Sequence, residues 1–187
     1  MIAEYTGGAT NGLWIAERGT TNWRHAQQFT VTGNPMVTEV QVNIVRWAGS
    51  NGTFIVSLVS DNNGKPTGTL AGAKGKSTLD IPMNNAYVSF TWDASQPILS
   101  PGKWWVVCRV STDSDADIIW QGKAWSPGDN YGGGADVITS MDKGVTWPVL
   151  QGQDMNFRVF GQRTGTNTNT TRMVLKTIEL RTSLLAS

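Results

Sequence analysis

Cysteine is almost missing from this chain. Cys108 stands alone, which excludes an internal disulfide, and with no CxxC or Cys/His pair there is no zinc-type ligand set. Histidine is equally scarce, with His25 the single example. Charge is sparse and balanced: 15 Lys+Arg face 14 Asp+Glu, a formal net charge of +1. Long-range attraction therefore recruits no polyanion, and nucleic acid is not an expected partner. No apolar run approaches the roughly 18 residues of a membrane span. The opening MIAEYTGGATNGLW lacks the basic start and apolar core of a secretory signal. Read as full length, the chain is expected to be made in a cytosol and not exported by that route.

What the sequence does contain is glycine, tryptophan and uncharged polar residues, with 21 Gly and 9 Trp. Asn, Thr, Ser and Gln carry the polarity, a composition that suits strands joined by many turns. Period-two alternation recurs along the chain, the mark of strands with one buried face. Val40, Val42 and Ile44 share a face in TEVQVNIVRW. Phe54, Val56 and Leu58 do so in TFIVSLVSD, which is apolar on much of both faces and so reads as central. Val88, Phe90 and Trp92 align in YVSFTWD, as do Trp104, Val106, Cys108 and Val110 in KWWVVCRV. QQFTVT, DIIWQGK, ADVITSM and DMNFRVF complete the set, the last placing Met155, Phe157 and Val159 on one side. Gly or Pro interrupts nearly every gap, and residues 10–163 hold no helical period. Eight to ten strands are too many for one open sheet of this length. The expected fold is all-β, a two-sheet jelly-roll-like sandwich over residues 23–163, with an extended N-terminal arm and a C-terminal tail. Residues 1–22 read as an arm or a first strand, anchored by Leu13, Trp14 and Ile15, a group that an arm would lend to a neighbour.

The tail has its own character. TGTNTNTT, residues 164–171, is a polar linker. Beyond it, residues 172–187 carry Val174, Leu175, Ile178, Leu180, Leu184 and Leu185, which fit a helix face or a strand stripe. Such a segment is expected to return to its own domain or to dock on another chain as an assembly element.

Three stretches, QQFTV at 27–31, SLVSDNNGKPTGTL at 57–70 and ILSPGKWWVVCRV at 98–110, together resemble the choice-of-anchor type of β-sandwich domain. That family occurs in bacterial surface and secreted proteins and has relatives among phage virion proteins. The resemblance covers residues 23–161 and departs from the pattern at Asn63, where Gly is usual, and at Trp104, where Tyr is usual. It implies a sandwich fold and transfers no catalytic residue. Each motif also has a local reason. Asp61, Asn62, Asn63 and Gly64 tolerate left-handed backbone or cap a turn, Pro66 stops the ladder, and Ser100-Pro101-Gly102 turns the chain before the aromatic strand.

SMDKGVTW, Ser140 to Trp147, resembles the Asp-box of sialidases and other β-propeller proteins. Here it occurs once, so it reads as a turn staple: Asp142 accepts turn amides, Gly144 supplies positive φ, and Thr146 and Trp147 tuck back. His25 reads as a surface or strand-edge residue, since no nucleophile motif accompanies it. Cys108, on an inward stripe, reads as an inert thiol. Asp113, Asp115 and Asp117 alternate in STDSDADI, where a solvated acidic hairpin competes with a weak calcium site. Glu4, Glu17, Glu39 and Glu179 form no acid pair of the glycosidase kind. Trp105 points opposite to Trp104 and so outward. With Trp125, Asp129, Asn130 and Tyr131 of the loop AWSPGDNYGGG it forms a candidate carbohydrate-binding patch, against the alternative that these rings cover the ends of the fold.

Two functions follow as expectations. One is a non-enzymatic structural subunit of a phage virion, a head-decoration or appendage protein partnered with itself and with other virion proteins. The other is a carbohydrate-binding module, extracellular or at a cell surface, that takes glycans. Neither calls for a cofactor or a membrane.

Overall fold

The alternating segments become strands in the computed structural model, which describes residues 1–6, 11–18, 21–111, 114–123, 137–148 and 154–163. They are β1 (Ala3–Tyr5), β2 (Asn11–Arg18), β3 (Thr21–Val31), β4 (Pro35–Ala48), β5 (Thr53–Ser60), β6 (Leu70–Ser77), β7 (Ala86–Thr91), β8 (Gly102–Val110), β9 (Asp117–Lys123), β10 (Ile138–Ser140), β11 (Asp154–Met155) and β12 (Phe157–Arg163). Among the described residues the single helical piece is a 3-10 turn at Thr78–Asp80. The strands exceed the expected number because residues 1–18 supply β1 and β2, because DMNFRVF divides into β11 and β12, and because β6, LAGAKGKS, carries no apolar alternation.

Every pairing is antiparallel, and the ladders join into one sheet in the order β1-β12-β4-β9-β2-β3-β8-β5-β6. β7 lies on the free edge of β4, since Val40 pairs with Val159 on one side and Phe90 on the other. Two separate sheets were expected; the chain instead folds one sheet over. The hinge is β2, whose Asn11–Ile15 pair with β9 and whose Ala16–Arg18 pair with β3. The halves thereby face each other, sandwich-like, and the outermost strands β6 and β7 flank a groove lined by Lys74, Lys76, Ser89, Thr91 and Asp93 without a ladder between them.

The core lies between the halves and is drawn from the stripes that the alternation picks out. Val40, Val42 and Ile44, with Val88 and Phe90, face Phe54, Val56 and Leu58, with Val106, Cys108 and Val110. Rings meet across it: Phe29 with Phe157 at 6.0 Å between centroids, and Phe54 with Phe90 at 5.8 Å. Burial of each such side chain is worth roughly 1.5–3 kcal/mol, so the fold rests on the whole stripe set and not on one contact. Gln27 is the polar member. Its amide donates to Asp154 Oδ1 at 3.2 Å and accepts from the Met155 amide at 3.0 Å, tying β3 to β11 across the fold.

Of the two alternatives for residues 1–22, an extended arm or a strand, the described residues take the strand, and the arm is corrected. β1 pairs with β12, and β2 supplies the ladder that both β3 and β9 would otherwise lack. Open strand edges invite pairing with other chains, and β2 removes two of them. Ile15 is fully buried and Leu13 packs on the same core, so neither is held out to a neighbour.

Candidate functional site

Trp105 does point away from the main core, as its parity with Trp104 requires, yet it is fully buried. The segment 137–148 lies over it. β10 pairs with β3, and Ile138 and Trp147 close a second small core with Ala26, Trp105 and Val107. Asp61 accepts the Trp105 indole N–H at 2.8 Å and the Gln28 amide at 2.9 Å, while its other oxygen accepts the Gly64 amide. Asn63 at φ 53° and Gly64 at φ 78° make the left-handed turn that brings Asp61 there. Trp105 is therefore a structural residue and no part of an exposed patch. Trp125, Asp129, Asn130 and Tyr131 lie outside the described residues, as do Val174, Leu175, Ile178, Leu180, Leu184 and Leu185.

The cover over Trp105 is fastened by the SMDKGVTW turn. Asp142 accepts the amides of Val145 and Thr146 and the Thr146 hydroxyl, and Ser140 Oγ donates to it at 2.8 Å. The Thr146 hydroxyl and amide, then Ser140, hold the Asp142 carboxyl down to about 2. Gly144 takes φ 92°, and Trp147 donates back to its carbonyl at 3.0 Å. Arg24 ties the turn to β3, donating to Lys143 O at 2.7 Å while its other nitrogen pairs with Glu17 at 3.2 Å.

His25 departs from the expected surface position. It sits on β3 beneath β10, buried, with Nδ1 2.8 Å from Thr139 Oγ1 and Nε2 2.7 Å from the Trp14 carbonyl. Burial lowers its pKa to about 4, although the Trp14 carbonyl pulls the other way. A neutral imidazole spent on two fold contacts has no access to a substrate. Cys108 is buried, with its thiol raised well above the usual range by desolvation.

Of the three alternate aspartates, Asp113 lies outside the described residues. Asp115 accepts the Ser50 and Asn51 amides at 2.8 and 2.6 Å, and Asp117 opens β9 opposite Ala48. Among the described residues no three His, Cys, Asp or Glu side chains converge on a metal position. Gly49 explains why Asp115 is used this way: at φ 70° its Cα packs on the Asp115 backbone, where a side chain would collide.

The exposed feature that parity reasoning missed lies at the end of β4. Trp47 is 64% exposed and Trp14 36% exposed, and their rings meet edge to face at 5.9 Å across β9. The segment after β6 is stitched to the same end. Thr78 Oγ1 donates to the Ser50 carbonyl, the Arg46 amide to Pro82 O at 2.8 Å, and the Arg46 guanidinium to Ile81 O and Gly49 O. That stitching carries Leu79 and Met83, 63% and 67% exposed, to the end where Trp47 stands. Trp14, Trp47, Leu79 and Met83 thus leave four large apolar side chains in water at this end.

Next to it, the outer face of β4, β7 and β12 is polar. Arg158 stacks on the Tyr87 ring at 4.0 Å, pairs with Glu4 at 3.4 Å and donates to Gln41, whose amide donates to Glu39 and Ser89. Desolvation raises the Tyr87 hydroxyl, with Arg158 opposing and Glu4 adding to the shift. Asn43 Oδ1 is buried there without a hydrogen-bond partner.

Family models, curated proteins and solved structures return no match to this chain.

Proposed function

We propose that this protein is a non-enzymatic structural subunit that assembles with copies of itself on a phage virion, as a head-decoration or appendage protein. The observation that carries the assembly is the group Trp14, Trp47, Leu79 and Met83, exposed together at one end of the fold. Aromatic residues and methionine are enriched where subunits meet, and an open apolar surface of this kind gains most by being covered. The virion setting rests on the resemblance of the 27–31, 57–70 and 98–110 stretches. The burial of His25 and Cys108 in fold contacts fits a chain whose surface, not its chemistry, is used.

A carbohydrate-binding module is the second reading, and it rests on Trp125, Asp129, Asn130 and Tyr131 of the loop AWSPGDNYGGG. Native mass spectrometry of the purified chain, alone and with neutral oligosaccharides, tests both. Multiples of the 20.3 kDa chain are expected. A chain that stays at 20.3 kDa and takes up sugar would replace the first reading with the second.

A further inference from the structure

We infer that the groove between β6 and β7 takes an extended acidic peptide, which adds a strand to the free edge of β7 and sets carboxylates beneath Lys74 and Lys76. This surface shares no residue with the apolar end and needs no second copy. Each half of the sheet ends here, one in β6 and the other in β7, with no ladder between them. Bonded and non-bonded pairs alternate along an antiparallel ladder, so one hydrogen bond fixes the parity of the rest. The Trp92 amide donates to Thr38 O at 2.9 Å, one step beyond the pair Thr91 and Glu39. Val88 and Phe90 therefore turn their backbone groups to β4, and Tyr87, Ser89 and Thr91 turn theirs to the open edge. On β6 the Thr78 amide donates to Gly52 O at 3.1 Å, which by the same count leaves Ala73 and Gly75 facing outward. Gly75, Ser89 and Thr91 line the groove, a space of about 240 Å³.

Charge says what lies along that edge. Opposed residues share a face of the sheet, and Lys76 and Lys74 oppose Phe54 and Val56, both fully buried. The two lysines thus point inward, toward the half that ends in β7, and are half-buried. Neither has an ion pair or hydrogen bond among the described residues, although Asp93 lines the same groove. Two cations against one carboxylate leave the groove positive. An apolar strand laid on β7 would cover the ammoniums unpaired, at a cost, whereas carboxylates offset them. The spacing matches as well: residues i and i+2 of β6 stand roughly 6.6 Å apart, and so do same-face residues of an added strand. A sugar polyanion brings no repeat of amide donors and acceptors to the β7 edge, so the ligand that fits is a peptide with acids at alternate positions.

The probe is a capped, fluorescent peptide, Thr-Val-Glu-Val-Glu-Val-Thr. It is compared with the same peptide carrying Lys for both Glu, with an isomer whose two Glu are adjacent, and with an alginate oligosaccharide. Anisotropy with the full chain reads binding, and hydrogen exchange reads which amides become covered. The alternating peptide is expected to bind, more weakly as salt rises, and to slow exchange at Tyr87, Ser89 and Thr91. Lys74→Glu/Lys76→Glu should weaken that binding about tenfold and should take the Lys peptide instead; circular dichroism checks that the variant keeps its strands. Equal binding of the two Glu isomers, uptake of alginate alone, or protection confined to other strands would overturn strand addition at β7. A wild-type chain that binds no peptide at millimolar concentration would overturn it without recourse to a variant, and would leave Lys74 and Lys76 as guards of an edge that stays empty.

Discussion

At the scale of the residue, His25 shows how a lone titratable group can serve the fold. Its imidazole lies between Thr139 Oγ1 and the Trp14 carbonyl, joining β3 to the covering β10 and to β2. Its folded pKa of about 4 lies below the ordinary 6.5, so the native state favours the neutral ring. As pH falls below 6.5 the unfolded chain takes a proton that the native chain refuses. Stability is therefore lost between about 6.5 and about 4, on the order of 3 kcal/mol in all. Urea unfolding across that range should show this slope, and His25→Gln should flatten it; an unchanged slope in the variant would assign the loss elsewhere. Asp142 acts in a separate, lower window, its stabilising effect present above 3.8 and lost as pH falls toward about 2. The sequence does not reveal the burial of His25, because its hydroxyl partner is 114 residues away. It does reveal Cys108, whose place on an apolar stripe is a local pattern, and the Asp142 turn, whose partners all lie within four residues.

At the scale of the element, the segment 137–148 decides what is surface. Parity places Trp105 on the outer side of β8 correctly. Whether that side meets water depends on a short strand and a turn that arrive from far along the chain. The two tryptophans nominated by contrasting reasoning should then separate cleanly. Trp105→Ala empties a closed site and takes a donor from Asp61, so a cost of about 3–5 kcal/mol is expected. Trp47→Ser removes a ring that stands in water and should shift the stability of the single chain by about 0.5 kcal/mol or less. Urea midpoints measure both, and equal losses would contradict the assignment of one to the core and the other to the surface. Trp47 was open to sequence reasoning in one respect. It ends a strand whose inward stripe is Val40, Val42 and Ile44, so its odd position already points outward.

At the scale of the whole molecule, one sheet folded about β2 gives a closed core between unequal ends. The all-β class and the composition of the core were legible because period-two stripes are local. The continuity of the sheet was not, since it depends on β2 pairing with two strands at once. Nor was the apolar end, which gathers Trp14, Trp47, Leu79 and Met83 from three separate segments. That end is the centre of the functional account, and hydroxyl-radical footprinting of the intact chain over a range of concentrations tests it most directly. Met83 and Met141 are 67% and 60% exposed in the single chain, and Met141 sits on the turn that covers Trp105. As assembly proceeds, Met83 and Trp47 should become protected while Met141 oxidises as before. Oxidation of Met83 and Met141 at the same undiminished rate, in samples whose mass exceeds 20.3 kDa, would show that the copies meet somewhere else.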